Sequence, residues 1–407
     1  DRLHAGHFIG RQPIYDRNLN VYAYELLFRS GLDNAAMFSD GDRATSHVIN
    51  NAFLEFGLEQ LVGRHRAFIN LTRSFLTGDW ELPFPRDRVV LEVLEDIEPD
   101  ADVIAAVRQL RGSGHTLALD DFIYHDKLRP LIEHADIIKI DLMAVPAGEL
   151  ELHLEQLRDY KVQLLAEKIE TLEQFEHCKE LGFDYFQGYF LSRPQVISDK
   201  AVPASGLATV RLLAELQQPE VPPEELETLI SQDLGLSYKL LRYINSAFFS
   251  LPRKVDSIRQ AVVYLGNRTI KTWATLLVFC GVEDRPTDLM TIAMLRARMC
   301  QLLAEKTGEP DPEVYFTAGL FSALEALLGM PLDQILAALP LSDALKCALL
   351  HHEGRLGEAL HCVLEYEQTR WDGARLRNLP PAEITEAYVE AARWADETTE
   401  LLLGTTN

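Results

Sequence analysis

The chain has 407 residues, 47% apolar and 25% charged, which is the balance of a globular protein long enough for two or three separate cores. Its 39 Lys and Arg stand against 62 Asp and Glu, a net charge of −23 that repels nucleic-acid phosphates and argues against non-specific DNA or RNA binding. A small anionic nucleotide held through a metal ion stays compatible with this balance, because a local ion overrides the global field.

Phe8 to Tyr24 reads as two short strands around a turn at Asp16–Asn20. Up to about Pro194, strand-like runs of four to eight residues then alternate with amphipathic helical stretches. Those stretches are Ala44–Leu61, Asp100–Arg111, Leu150–Arg158 and Leu172–Leu181. The last begins after Thr171, with Gln174 completing a capping-box pattern, and ends at Gly182. Such alternation predicts a parallel α/β sheet or barrel.

Seven of the strand-like segments carry a polar residue at their end. They supply Glu25, Asn70, Glu92, the pair Asp120 and Asp121, Lys139 with Asp141, Glu167 with Glu170, and Gln187. A parallel barrel gathers the C-terminal ends of its strands at one mouth. A single strand-end carboxylate is ordinarily a helix cap or a surface charge. A ring of them is costly to bury without cations. Glu25, Asn70, Glu92 and Asp120 are all oxygen donors, as Mg²⁺ or Mn²⁺ prefers. The adjacent Asp120 and Asp121 suit a two-metal site able to clamp both oxygens of a phosphodiester displacement. Glu167 is the candidate general base, and Lys139 is placed to neutralise developing charge or position water.

A boundary is expected near Ser192–Ser205, giving domains 1–197 and 198–407. Beyond it strand signals fade and helices follow one another: Ala208–Gln217, Pro223–Gln232, Ser237–Phe248, Ser257–Leu265 and onward to a packed helix over Trp371–Leu403. Leu240, Leu241, Ile244 and Phe248 have helical spacing and are expected in the core. The adjacent His351 and His352 point about 100° apart on a helix, a poor arrangement for chelating one ion. The five cysteines form no CxxC pair and read as scattered buried thiols in a reducing cytosol. The longest apolar run, Trp273 to Val282, is about half the ~20 residues a membrane helix needs. With no secretory-type start, a cytoplasmic protein is expected.

The first half resembles the EAL-domain cyclic-di-GMP phosphodiesterases. The motifs are RQPI at Arg11–Ile14, YELLFR at Tyr24–Arg29, NL at Asn70–Leu71, LEVLE at Leu91–Glu95, LDDF at Leu119–Phe122, KID at Lys139–Asp141, AEKIE at Ala166–Glu170 and QGYFLSRP at Gln187–Pro194. The resemblance implies a TIM-like (β/α) barrel that hydrolyses cyclic di-GMP to linear pGpG with Mg²⁺ or Mn²⁺. Glu25, Asn70, Glu92 and Asp120 would hold a first metal, and Asp120, Asp121 and Glu167 would line a second. Glu167 would be the general base, supported by Lys139, Asp141, Glu170 and Gln187, with Gln12 and Arg29 on the nucleotide. A homodimer is part of the same expectation. Three departures stand out. The signature tripeptide is Glu25-Leu26-Leu27. Lys168 stands where the family has glycine. The small residues of the family's loop after the two aspartates are replaced by Ile123, Tyr124 and His125.

Ser237 to Leu277 resembles the HDOD domain, an all-helical, non-catalytic relative of HD phosphohydrolases. Ser322-Ala323 falls where an active His-Asp pair would be, which argues against metal and hydrolysis in this half. The combined reading is an α/β barrel followed by an all-α domain that engages a signalling partner. The alternative is a barrel that binds cyclic di-GMP without turning it over.

Overall fold

The computed structural model describes residues 7–30, 57–78, 85–145, 148–190, 204–218, 221–245, 254–280 and 286–403. The chain divides into two compact units, one of Asp1–Arg193 with Glu365–Val389, the other of Pro194–Leu364 with Glu390–Asn407.

The first unit is a closed eight-stranded barrel. Its strands are β1 His7–Tyr15, β2 Val21–Ser30, β3 Arg66–Leu71, β4 Val89–Val93, β5 Thr116–Leu119, β6 Ile137–Asp141, β7 Gln163–Glu167 and β8 Tyr185–Gln187. From β2 to β8 all neighbours are parallel. β1 runs the other way, antiparallel to β2 along its length and to β8 at Ile14 and Tyr15. The expected hairpin is there. Asp16 Oδ1 accepts the N–H groups of Asn18 at 2.8 Å and Asn20 at 2.9 Å, and Leu19 takes the left-handed conformation the turn needs.

Between strands, the helix Ala101–Gly112 starts at Asp100, whose side chain accepts from the N–H of Asp102 and Val103. The helix Leu172–Leu181 has the expected capping box at Thr171 and Gln174 and ends at left-handed Gly182. The helix Leu150–Leu157 also lies where the sequence places it. Of the helix expected over Ala44–Leu61, all but the last residues lie outside the described residues, and Leu58–Val62 is helical.

Glu365–Val389 completes this barrel unit. β8 is only three residues long and pairs with β1 only at Ile14 and Tyr15. Above that point the backbone groups on the β8-facing edge of β1 need other partners. Tyr388 supplies one, its hydroxyl accepting from Arg11 N–H at 3.2 Å and lying 3.5 Å from Arg11 O. Tyr366 does the same two residues away, 3.4 Å from Ile9 N and 2.8 Å from Ile9 O. The Trp371 ring stacks on Phe8, 5.2 Å between centroids, and presses on Gly10, where a Cβ would come within 2.6 Å of the indole. Tyr189, just past β8, lies 3.4 Å from Glu367 O. The helix expected over Trp371–Leu403 begins instead at Pro381, and residues 371–380 are turns. The Pro380-Pro381 pair explains this: proline opens a helix readily but pushes the residue before it out of the helical region.

The described secondary structure of the second unit is all helical, with helices Ala204–Leu216, Pro223–Ser231, Leu234–Ile244, Ile258–Leu265, Asn267–Cys280, Thr287–Lys306, Pro312–Phe321, Leu324–Leu328, Leu332–Ala338, Asp343–His351 and most of Gly354–Glu367. Leu240 and Ile244 are fully buried, Leu241 is half-buried, and Phe248 lies outside the described residues. The Asn245 side chain donates to Leu241 O and Val255 O and accepts from Val255 N–H. Helices Thr287–Lys306 and Pro312–Phe321 approach closely at Gly319, where a Cβ would sit 2.3 Å from Arg296 O. Ser322 is occupied structurally, donating to Gly319 O at 2.7 Å. Only His351 of the histidine pair is helical; His352 is the left-handed residue that ends the helix. Cys178, Cys300 and Cys362 are buried free thiols, whereas Cys347 is exposed, a departure from the expected burial. Among the described residues no helix is long and apolar enough to cross a membrane.

Candidate active site

The barrel interior explains the polar residues. One apolar layer takes one residue from every strand: Ile14, Ala23, Phe68, Val90, Ala118, Ile137, Leu165 and Tyr185. Side chains on a strand return to the same face every second residue. Two residues towards the mouth from each member of that layer stand Gln12, Glu25, Asn70, Glu92, Asp120, Lys139, Glu167 and Gln187. All eight strands therefore carry an apolar residue followed, one inward position higher, by a polar one. Gln12 belongs to this set because β1 is reversed, and its register partner is Glu25. Glu25 itself lies in mid-strand, not at the end of β2, since β2 runs on past the barrel to pair with β1.

Lys139 is the hub of the layer. Its Nζ lies 2.6 Å from Glu92, 2.7 Å from Asp120, 3.0 Å from Glu167 and 3.5 Å from Glu25. Gln187 Nε2 donates to Glu25 Oε2 at 2.6 Å, and Asn70 Nδ2 lies 3.4 Å from Glu25 Oε1. Four carboxylates thus share one buried ammonium. Burial pushes the Glu92 carboxyl well up, with Lys139 only partly offsetting it. The same desolvation lifts Glu167 to about 8. For Lys139 burial works against the charge, but Glu25, Glu92, Glu167 and Asp120 overrule it and hold the ammonium firmly protonated.

Asp121 and Asp141 lie beside this layer. Asp121 follows the end of β5 at φ 40°, and burial raises its carboxyl. Asp141 Oδ1 accepts from Met143 N–H at 2.7 Å, and its Oδ2 accepts from Lys168 Nζ. The same ammonium is 3.9 Å from Asp121. Lys168 holds its left-handed glycine-like backbone at φ 58°. Gly188 supports this corner: a Cβ there would fall 2.0 Å from Ile169 O, while Ile169 N–H donates to Gln187 O at 3.0 Å. Glu170 lies beyond β7, before the helix Leu172–Leu181, and is not in the layer. Arg29 sits near the end of β2 opposite Phe8, its side chain outside the described residues.

The segment after Asp121 has a local structure of its own. Phe122 is buried and donates its N–H to Lys139 O at 2.9 Å. Ile123 is 54% exposed, the Tyr124 hydroxyl accepts from Arg129 Nε at 3.0 Å, and His125 caps the 3-10 turn Asp126–Leu128.

Among the described residues, no three carboxylate, imidazole or thiolate groups converge on one point as direct metal ligands. The point on which the carboxylates do converge is taken by Lys139 Nζ. Yet the donors suit a hard divalent ion. Asn70 Oδ1, Glu92 Oε2, Glu167 Oε2 and Gln187 Oε1 are buried acceptors without a hydrogen-bond partner, and one ammonium balances only part of the acidic charge.

Fold and layer together define a (β/α) barrel with an acidic site at its mouth. The sequence matches the EAL domain family over residues 3–194 and the HDOD domain family over residues 203–364. It is 35% identical over 407 residues to the cyclic di-GMP phosphodiesterase CdgJ of Vibrio cholerae, covering 97% of this chain and 94% of that one. It is likewise 35% identical to YuxH of Bacillus subtilis, a protein without a described function, over 95% of this chain and 97% of that one. A solved structure of Klebsiella pneumoniae BlrP1 with calcium and cyclic di-GMP matches 47% of this chain and 57% of its own length, at 25% identity and a TM-score of 0.39. The chain belongs to the EAL–HDOD family.

Proposed function

We propose that the barrel hydrolyses cyclic di-GMP to linear pGpG in a reaction that depends on Mg²⁺ or Mn²⁺. The observation that carries this reading is the polar layer, in which Glu25, Glu92, Asp120 and Glu167 converge with unpartnered acceptors beside them. The near full-length similarity to CdgJ supports it. Glu25, Asn70, Glu92 and Asp120 would hold one metal, and Asp120, Asp121 and Glu167 a second. A bound divalent ion supplies positive charge against the charge that develops on the phosphodiester. Glu167 accepts the proton of the attacking water. The water oxygen forms the new bond to phosphorus as the bond to the 3′ oxygen breaks, and the leaving 3′ oxygen takes a proton from solvent water. Lys139, 3.0 Å from Glu167, holds that carboxylate in place. Gln12, Arg29, Asp141, Glu170 and Gln187 bind or orient the nucleotide. A homodimer, a cytoplasmic setting and a signalling partner for the helical half complete the proposal.

A second reading, a barrel that binds the nucleotide without hydrolysing it, draws on one feature. Ile123, Tyr124 and His125 stand where the family has small residues, and Tyr124 and His125 are tied into local hydrogen bonds with Arg129 and Lys127. Glu167→Gln separates the two. Under the enzyme reading it keeps cyclic di-GMP binding and loses turnover by about 10²–10⁴-fold. Turnover equal to wild type would place the base elsewhere.

A further inference from the structure

The site contains two lysines in different circumstances. Lys139 is sealed among four carboxylates, its side chain 1% exposed. Lys168 is 52% exposed, and its ammonium pairs with Asp141 and approaches Asp121 to 3.9 Å. Both aspartates lie beside the acidic layer, and neither has another lysine or arginine within ion-pair distance among the described residues. Lys168 reaches them from a left-handed backbone position that side chains rarely adopt. It therefore places a half-exposed cation at one side of an otherwise acidic mouth.

We infer that Lys168 is a tethered counter-cation that competes with a divalent metal for Asp121, and so sets how much metal the site needs before it fills. The inference rests on the metal-dependent reading above. Its chemistry follows from charge and access. An incoming cation on Asp121 meets the ammonium of Lys168 at close range, and like charges in partial solvent cost binding. Lys168 is exposed enough to swing away, whereas Lys139 is enclosed. Lys168 is thus the exchangeable cation, and a metal would displace it from Asp121 and Asp141 at a cost in affinity.

The test is Mn²⁺ titration of the full chain without nucleotide, followed by the electron paramagnetic resonance of free Mn²⁺. Wild type is compared with K168M, which keeps the backbone strain and removes the charge, with K168G, which removes both, and with K168R, which keeps the charge. K168M and K168G should each bind their weaker Mn²⁺ about tenfold more tightly than wild type, and K168R should titrate like wild type. Equal titrations for wild type and K168M overturn the inference. Tightening in K168G alone also overturns it, because backbone relief and not charge would then be responsible. If the expected tightening appears but no variant hydrolyses cyclic di-GMP, the inference stands and the enzyme reading fails. If no form binds Mn²⁺, both fall.

Discussion

Replacing Lys139 with Met removes the only lysine or arginine among the described residues in contact with the four carboxylates of the barrel layer. Breaking a buried ion pair from one side costs about 3–5 kcal/mol, because the partner charges stay buried. Here three carboxylates lie within 3.0 Å of the ammonium and a fourth at 3.5 Å, so a shared proton cannot satisfy them all. Protonation of Glu92 and Glu167, both already pushed up, limits the damage. We expect a loss of about 3 kcal/mol at pH 7.5 in EDTA, which for a unit of roughly 200 residues lowers Tm by about 6–12 °C. Adding E92Q to K139M should restore part of it by removing the most buried acid. The assay is thermal unfolding followed by circular dichroism, with wild type, K139M and the double variant in EDTA at pH 7.5. K139M melting at or above wild type in EDTA at pH 7.5 would mean that the ammonium does not balance the layer.

Other expectations follow from the same geometry. Glu167 holds its proton up to about 8 in the folded barrel against an ordinary 4.5, so the folded chain binds more protons than the unfolded chain between those values. This carboxyl therefore costs the metal-free protein stability as pH rises through that window. E167Q should flatten the fall of Tm with pH in EDTA, and an unchanged slope would contradict the assignment. Trp371→Ala removes a ring packed on Phe8 and Gly10 and should cost about 3–5 kcal/mol of barrel stability, read by urea unfolding. Tyr366→Phe and Tyr388→Phe should each cost about 1–2 kcal/mol by leaving backbone groups of Ile9 and Arg11 unpaired. No loss in any of the three would mean that Glu365–Val389 does not support β1. Gly188→Ala drives a methyl into Ile169 O and should lower the melting temperature of the barrel, with Gln187 displaced from Glu25.

Much of the barrel was legible because its strands obey a simple rule. On each strand the residue two positions towards the mouth from its member of the apolar layer is polar, and a period of two turns that spacing into a second layer. Strand-end reading found seven of these positions through Glu25, Asn70, Glu92, Asp120, Lys139, Glu167 and Gln187. It placed Glu25 at the end of β2 because nothing local shows that β2 continues to pair with a reversed β1. Gln12 joins the same layer for the same reason, its inward position following from the register with Glu25. The hub role of Lys139 was not legible, since four ion pairs from four other strands depend on barrel closure. The return of Tyr366, Trp371 and Tyr388 to β1 was invisible for a similar reason: the partners are more than 350 residues apart in sequence and leave no local pattern. The aromatic cluster and Pro380-Pro381 were the only available hints of an interruption between helices. Lys168 was visible as a departure from glycine, but its pairing with Asp141 and Asp121 needed the left-handed backbone that turns its side chain across the mouth.

The most direct measurement of the central claim is product analysis of cyclic di-GMP incubated with the purified full chain. It should be run with Mg²⁺, with Mn²⁺ and with EDTA, beside Glu25→Ala. Wild type should yield pGpG with added metal and none in EDTA, and Glu25→Ala should yield none under any condition. Cyclic di-GMP that binds wild type but is recovered intact with both metals would contradict the claim and leave the barrel as a receptor.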